Sequence, residues 1–386
     1  MTLRLLLLAS VLPLAASAQS PVPDGESPER IASGLQFTEG PLWFGGGLLF
    51  SDIPANTVYR WDPATGAAEP FLDPSQNSNG LALDADGALL LAQHGAQRVA
   101  RLDDGTETAL AETYDGKTFN SPNDLAVHPD GSIYFSDPTW GLEGRPSQLG
   151  FTGLYRLTPA GTVELLADDL HQPNGVAFSP DLATLYVTTS DERTVVAYDL
   201  ADGALSNGRV FATLTGGTAR DAADGMEVDA QGRLYVAGPR GVWILAPDGT
   251  VLDVVDVPDQ TTNVAFGPDD ILYITSGPGV YRLALAAGTT AGEAGPASAV
   301  LAIASVAPNP TARRATVALT VDRAQATATL EVVDALGRVV RRLDLGPLAA
   351  GAHRAEVDLG GLAAGAYTVR LTAGAARASR SLTVVR

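Results

Sequence analysis

The segment Pro122–Asp137, PNDLAVHPDGSIYFSD, decides the fold because variants of it recur along the chain. It contains a polar pair, an alternating apolar run, a turn at Asp130-Gly131 and a second apolar run, which is the pattern of a β-hairpin. Five more segments share this order: TEGPLWFGGGLLFSD from Thr38, SNGLALDADGALLLAQ from Ser78, PNGVAFSPDLATLYVTTS from Pro173, ADGMEVDAQGRLYVAG from Ala223 and TNVAFGPDDILYITSG from Thr262. A hairpin that occurs six times predicts a repeat architecture.

One acidic or amide residue occupies the same place in each segment. These anchor residues follow one another at intervals of 40, 44, 51, 50 and 39 positions, and they are Glu39, Asn79, Asn123, Asn174, Asp224 and Asn263. Such intervals are typical of β-propeller blades, and apolar runs such as GLYRLT and GVWIL supply the outer strands of each blade. We therefore predict an all-β chain in which residues 19–287 form a six-bladed β-propeller.

Composition agrees with this fold class and limits the partners. The chain has 41 Gly and 25 Pro, and its one lysine is Lys117. Its formal net charge of −19 argues against nucleic acid as a partner, because phosphate binding depends on clustered Lys and Arg. An acidic surface is also a common route to solubility. The absence of cysteine excludes disulfides, a cysteine nucleophile and a zinc-thiolate site.

The N-terminus predicts export. Residues 1–18, MTLRLLLLASVLPLAASA, combine a basic residue, a short apolar run and an A-x-A ending, as secretory signals do. The apolar run is too short for a membrane span. We expect a protein that is secreted or attached to the cell surface.

The C-terminal part differs in character. Residues 288–304 are rich in Ala, Gly and Thr and predict a linker. Residues 305–386 carry a net charge of +5 against −24 for the rest, and their short alternating strands between Gly-rich turns predict a small β-sandwich. The order PNP, DALGR, LAAGAYTVRL and a basic end resembles the C-terminal sorting domains of type IX secretion. An adhesive or carbohydrate-binding sandwich is the alternative.

Ring closure should bring the six anchors together at one end of the channel. One Glu, one Asp and four Asn, without His or Cys, form a ligand set suited to a hard cation. Calcium fits best, with zinc, manganese and magnesium as alternatives. Asn-Gly and Asp-Gly are also common turn pairs, so for Asn79 and Asn263 a turn or supporting role is favoured over direct ligation. Glu39 does not fit a turn and is the strongest ligand candidate.

These motifs resemble the gluconolactonase and regucalcin (senescence-marker-protein) family of β-propellers. The matching stretches are TEGPLW around Glu39, FNSPNDLAVHPDGSIYFSDPTWG around Asn123, QPNGVAFS around Asn174 and AADGMEVD around Asp224. The resemblance implies that these four residues bind one metal ion and that the protein hydrolyses a lactone. Animal members carry a substrate-contacting Arg where this chain has Ser121, which leaves the identity of the lactone open.

The chemistry assigns further roles. A cation that polarises a lactone carbonyl leaves a carboxylate to take the proton of the attacking water, and Asp224 is the first candidate for this base. Asp124 is the second candidate, because strand alternation should turn it away from the channel. His94, Asn120, Trp140 and Asn123 are candidates for contacts with the substrate. A structural role is the alternative for His94, and packing between blades is the alternative for Trp140.

Three classes of function follow from these features. The first is a metal-dependent lactonase that acts on sugar lactones. The second is another metal-assisted hydrolase, such as an aryl esterase or an organophosphate hydrolase. The third is a propeller that binds a glycan or a protein without catalysis, which the acidic and amide ligand set disfavours.

Overall fold

The computed structural model describes residues 19–103, 105–218, 221–289, 301–321, 325–334, 338–349, 351–373 and 376–385. The predicted signal at 1–18 lies outside these residues. Strands dominate the described residues, whose only helical segment is the 3₁₀ turn Trp140–Leu142. In that part of the chain no helix has the length and hydropathy needed to cross a membrane.

Six four-stranded antiparallel sheets form the blades of the predicted propeller. The first strand of the chain is β1 (Glu29–Ala32). Blade 1 contains β2 (Thr38–Phe44), β3 (Gly47–Asp52), β4 (Thr57–Trp61) and β5 (Ala68–Leu72). Blade 2 contains β6 (Ser78–Leu83), β7 (Leu89–Gln93), β8 (Arg98–Asp103) and β9 (Thr106–Ala111), and the short hairpin β10 (Thr113–Tyr114) and β11 (Lys117–Thr118) follows it.

The remaining blades repeat this order from the innermost strand outward. Blade 3 contains β12 (Leu125–Val127), β13 (Ile133–Asp137), β14 (Gly153–Leu157) and β15 (Val163–Ala167). Blade 4 contains β16 (Pro173–Phe178), β17 (Thr184–Thr189), β18 (Thr194–Ala201) and β19 (Ala204–Thr213). Blade 5 contains β20 (Met226–Val228), β21 (Leu234–Gly238), β22 (Gly241–Leu245) and β23 (Val251–Asp256), and blade 6 contains β24 (Thr261–Gly267), β25 (Ile271–Ser276) and β26 (Gly279–Ala284).

The fourth strand of blade 6 comes from the N-terminus. Strand β1 pairs antiparallel with β26, with Glu29 opposite Arg282, and the two side chains form an ion pair at 2.7 Å. The six-segment pattern did not predict this strand, because β1 belongs to none of the repeated hairpins. The pairing joins the N-terminal and C-terminal ends of the propeller in one blade and gives blade 6 the same four strands as the others.

The hydrophobic core is divided among the interfaces between blades. Alternation along each second strand sends successive side chains to opposite neighbours. On β3, fully buried Phe50 packs in the cluster shared with blade 6, whereas Leu49 packs in the cluster shared with blade 2. On β21, Tyr235 faces blade 6 and Val236 faces blade 4. Each blade therefore depends on both neighbours for its core.

Regular pairing breaks where the anchors lie. The register of the innermost strand shifts between Glu39 and Leu42 in β2, and similar shifts occur at the anchors of β6, β16 and β24. A bulge changes the direction in which the following side chains point. Simple alternation therefore does not predict side-chain directions at this end of the channel.

The C-terminal module is the predicted β-sandwich. One sheet contains β27 (Leu301–Ala307), β28 (Arg314–Val321) and β31 (Gly351–Asp358); the other contains β29 (Gln325–Asp334), β30 (Val339–Leu348), β32 (Gly365–Ala373) and β33 (Ala376–Val384). Both sheets contribute to one core, in which Val317 and Val369 are fully buried. The module begins earlier than the predicted residue 305, because Leu301 already pairs with Val321. Most of the predicted linker lies outside the described residues.

Candidate active site

The six anchors form a buried ring at one end of the channel. Their side chains are between 2% and 5% exposed. Asn123 and Asp224 stand just before β12 and β20, and their backbone N–H groups donate to Ser136 and Ala237 at 2.9 Å. The other four anchors lie inside the innermost strands. The anchor ring consists of Glu39, Asn79, Asn123, Asn174, Asp224 and Asn263.

Glycines hold neighbouring anchors close together. A Cβ atom at Gly40 would lie 2.1 Å from the carbonyl oxygen of Asn79, and one at Gly225 would lie 1.9 Å from Cγ of Asn263. Gly225 N–H also donates across the blade boundary to Thr262 at 2.8 Å. At these two positions the absence of a side chain allows close contact between neighbouring blades beside the anchors.

The ring contains oxygen atoms that no protein group satisfies. Eight buried side-chain nitrogen and oxygen atoms in the described residues lack a hydrogen-bond partner, and four of these belong to the ring: Asn79 Oδ1, Asn123 Oδ1, Asn174 Oδ1 and Asp224 Oδ1. A buried polar atom without a partner is costly, so such a cluster indicates a ligand that supplies the missing interaction. Oxygen atoms alone suit a hard cation.

Burial and neighbouring negative charges raise the pKa of both ring carboxyl groups. Burial raises the pKa of Glu39 to about 8, and the charge of Asp124 adds to the effect. Burial followed by the charge of Glu39 raises the pKa of Asp224. A bound cation would oppose both shifts, because a nearby positive charge favours the ionised form of a carboxyl group.

The prediction for the Asp124 side chain was wrong, because this side chain faces the channel instead of pointing away from it. It lines the central cavity of about 360 Å³ and is 8% exposed. Its Oδ1 accepts from Leu125 N at 2.9 Å, and its Oδ2 accepts from Val176 N of blade 4 at 3.4 Å. The reason is that β12 begins only at Leu125, so Asp124 lies outside the regular ladder. Burial raises its pKa to about 7.

His94 lies beside the ring. Its side chain is 5% exposed, and its Nε2 is 3.4 Å from Nδ2 of Asn79. Burial, with a smaller contribution from the charge of Arg145, lowers the pKa of His94 to about 4. The imidazole is therefore neutral near pH 7. The polar side chain that it contacts is the anchor residue Asn79.

The side chain of Asn120 is buried and hydrogen-bonded to the protein, unlike the free side chain expected of a residue that contacts the substrate. It is fully buried, its Nδ2 donates to Phe151 O at 2.8 Å, and its Oδ1 accepts from Ser147 Oγ at 2.5 Å. These bonds join the loop before β12 to the loop before β14 and occupy the amide. Ser121 is equally committed, because its Oγ donates to Pro138 O at 2.6 Å and accepts from Gly141 N at 3.0 Å.

Trp140 is exposed beside these loops. It begins the 3₁₀ turn between β13 and β14, and 52% of it is exposed, which does not fit the alternative of packing between blades. The preceding Thr139 and Gln172 bond each other twice, at 2.9 and 2.8 Å, which fixes the turn near the start of β16. Contact between Trp140 and a substrate remains a prediction.

The charged groups alone do not make a metal site. Among the described residues, no three His, Cys, Asp or Glu side chains cluster in a way that could hold a metal ion. The candidate ligand set instead combines two carboxylates with amide oxygens, a mixture that calcium accepts readily in proteins.

Comparison with known proteins identifies relatives of both parts of the chain. Residues 37–278 match the family described as SMP-30/Gluconolactonase/LRE-like region, and residues 309–377 match the FlgD Ig-like domain. The chain is 35% identical to gluconolactonase of Zymomonas mobilis over 286 residues, which is 66% of this chain and 80% of the relative. It is 34% identical to a pentonolactonase of Haloferax volcanii, covering 62% of this chain and 81% of that protein.

A solved structure agrees with the fold. The gluconolactonase of Xanthomonas campestris aligns with a TM-score of 0.64 and 34% identity, covering 69% of this chain and 91% of that one. The similarity therefore extends over the propeller and includes the segments that carry the anchors.

Proposed function

The chain belongs to the SMP-30/gluconolactonase/LRE-like family, and we propose that it is a lactonase that opens a sugar lactone with one divalent cation held in the anchor ring. Similarity to a gluconolactonase and a pentonolactonase supports the class, a hydrolase of carboxylic ester bonds. The observation that supports a bound cation is the set of four buried oxygen atoms in the anchor ring that have no hydrogen-bond partner.

The residues of the ring fit such a cation. Glu39 and Asp224 would offset its charge, and Asn123 and Asn174 would present amide oxygens that are otherwise unsatisfied. Calcium suits this set best, and zinc, manganese or magnesium are the alternatives to test. When bound, the cation would polarise the lactone carbonyl and stabilise the negative charge that develops on its oxygen.

Asp224 supplies the base in this proposal. One of its oxygens lacks a protein partner, which leaves that oxygen able to accept a proton from the attacking water. Water attacks the carbonyl carbon, Asp224 takes the proton, and the ring C–O bond breaks. The proton then passes to the departing ring oxygen, which becomes the hydroxyl of the open-chain acid.

One ring residue, Asn123, and one residue outside the ring, Trp140, would receive the sugar. Asn123 combines a free oxygen with a place at the channel end, and exposed Trp140 offers a flat surface on which a sugar ring can stack. His94 contacts Asn79 rather than open space, so a supporting role suits it better than direct contact with the sugar.

The test is acid release from glucono-δ-lactone by metal-stripped protein, measured above the spontaneous rate with Ca²⁺, Zn²⁺, Mn²⁺ or Mg²⁺ added back. We expect metal-dependent turnover that is lost in Asp224→Asn and Glu39→Gln. Asp124→Asn separates the two base candidates, because it should retain turnover if Asp224 is the base. A folded, metal-loaded protein that opens no aldonolactone contradicts the proposal; phenyl acetate, paraoxon and a glycan array then test the other two classes of function.

We also propose that residues 1–18 direct export and that the C-terminal module is a sorting domain for type IX secretion. The motif order in residues 305–386 supports this proposal. Expression in a bacterium that has this machinery should deliver the full chain to the cell surface or medium. Removal of the C-terminal module should leave the propeller in the periplasm, and unchanged delivery without the module would refute the sorting role.

A further inference from the structure

Asn79 and Asn263 occupy equivalent places on either side of blade 1, yet their amides are used differently. Asn263 Oδ1 accepts from Val264 N at 2.8 Å, and the Asn263 side chain acts on Glu39 by lowering the pKa of its carboxyl group. Asn79 Oδ1 has no partner and its residue is 2% exposed. Asn79 therefore matches Asn123 and Asn174, whereas Asn263 serves as a support for Glu39.

The contact with His94 fixes the direction of the Asn79 amide. The amide nitrogen Nδ2 of Asn79 can donate hydrogen bonds but cannot accept them. In the 3.4 Å contact it must therefore donate, and His94 Nε2 must accept. The His94 proton then lies on Nδ1. With its NH₂ group directed to His94, the amide presents Oδ1 on its other side.

His94 is itself held from two directions. A Cβ atom at Gly141 would lie 2.5 Å from Cγ of the imidazole, so the 3₁₀ turn packs directly on that ring. Arg145 donates to the His94 carbonyl at 2.9 Å and to the Gly141 carbonyl at 2.7 Å. The long loop of blade 3 thereby fixes a side chain of blade 2.

We infer that Asn79 supplies a further protein oxygen to the cation in the anchor ring and that His94 is the positioning residue that turns this oxygen toward the cation. This inference rests on the proposed function, because it requires the same cation. It departs from the sequence-based preference for a turn or supporting role at Asn79. The loop between β13 and β14 of blade 3 would then influence the cation as well, because its residues Gly141 and Arg145 contact His94.

The experiment uses the full chain and Tb³⁺ as a luminescent substitute for Ca²⁺. Decay rates in H₂O and D₂O count the water molecules on the ion, and competition with Ca²⁺ gives the Kd. Asn79→Ala should weaken Ca²⁺ binding by about tenfold or more and add about one water to the ion, since water replaces the lost oxygen. Asn263→Ala, the matched control, should not change the water count.

A second pair of variants tests His94 without removing the amide. His94→Leu removes the acceptor and should weaken Ca²⁺ binding by about tenfold, whereas His94→Gln retains an acceptor and should restore most of the affinity. Melting without metal checks the fold of each variant. If Asn79→Ala unfolds, the His94 pair decides the question.

The outcomes separate this inference from the proposed function. Wild-type protein that binds Tb³⁺ while Asn79→Ala keeps the same Kd and water count refutes the inference and leaves the cation in place. Equal affinities of His94→Leu and His94→Gln refute the positioning role. Wild-type protein that binds neither ion refutes the proposed cation and this inference with it.

Discussion

Replacement of Glu39 by Gln should stabilise the metal-free propeller at alkaline pH. Glu39 is 2% exposed, and burial raises its pKa from 4.5 to about 8. Between these values the folded protein retains a proton that the unfolded chain releases. The free energy of unfolding therefore falls as pH rises from about 5 to 8.

The size of the effect follows from the pKa. One pKa unit corresponds to about 1.4 kcal/mol, so an ionised Glu39 costs the metal-free fold on the order of 5 kcal/mol. That cost is comparable with the whole stability of many domains, about 5–15 kcal/mol. Glu39→Gln removes the charge, and the slope of stability against pH should decrease by up to about 1.4 kcal/mol per pH unit.

Tryptophan fluorescence provides the assay, because the four tryptophans of the chain all precede the C-terminal module: Trp43, Trp61, Trp140 and Trp243. Urea unfolding in EDTA is compared from pH 5 to 9 for wild type, Glu39→Gln and the control Glu29→Gln, whose carboxylate is 63% exposed. The control should follow wild type. Parallel pH profiles for wild type and Glu39→Gln would refute the reasoning.

Three other changes test the site. Asp224→Asn should reduce kcat by about 10²–10⁴-fold, the usual contribution of a general base, as measured by acid release with saturating metal. Trp140→Ala should raise KM several-fold, since stacking contributes about 1 kcal/mol, while the melting temperature stays unchanged because Trp140 is half exposed; an unchanged KM would exclude contact with the sugar. Gly225→Ala should destabilise the propeller by about 1–3 kcal/mol through overpacking against Asn263, whereas Gly365→Ala, with its nearest neighbour at 4.0 Å, should not.

The sequence predicted the blades because their signal is local. Each repeated hairpin carries its own alternation and its own turn, as Asp130-Gly131 does in blade 3. The closing strand β1 was missed because its partner β26 lies about 250 positions away and ERIA has no repeat of its own. Pairing over such a distance depends on ring closure, which no local pattern encodes.

The candidate site was predicted in position but not in detail. Repetition placed the anchors together, yet it could not distinguish Asn79 from Asn263, since the difference depends on which neighbour takes each amide oxygen. Asp124 was assigned the wrong direction because alternation fails where β12 has not yet begun. Asn120 looked available for a substrate, but Phe151 and Ser147, about 30 residues later, occupy its amide.

Charge explains why the ring should contain a cation. Glu39, Asp124 and Asp224 are each buried, and in the described part of the chain none of them takes part in an ion pair with Arg, Lys or His. Buried carboxylates without a counter-charge are costly, so in the metal-free protein protons must supply the missing charge. A cation bound by the ring would displace those protons, because carboxylates bind metals in their ionised form. Protons and cation therefore compete for one site, and cation affinity should rise with pH over the same range in which the metal-free propeller loses stability.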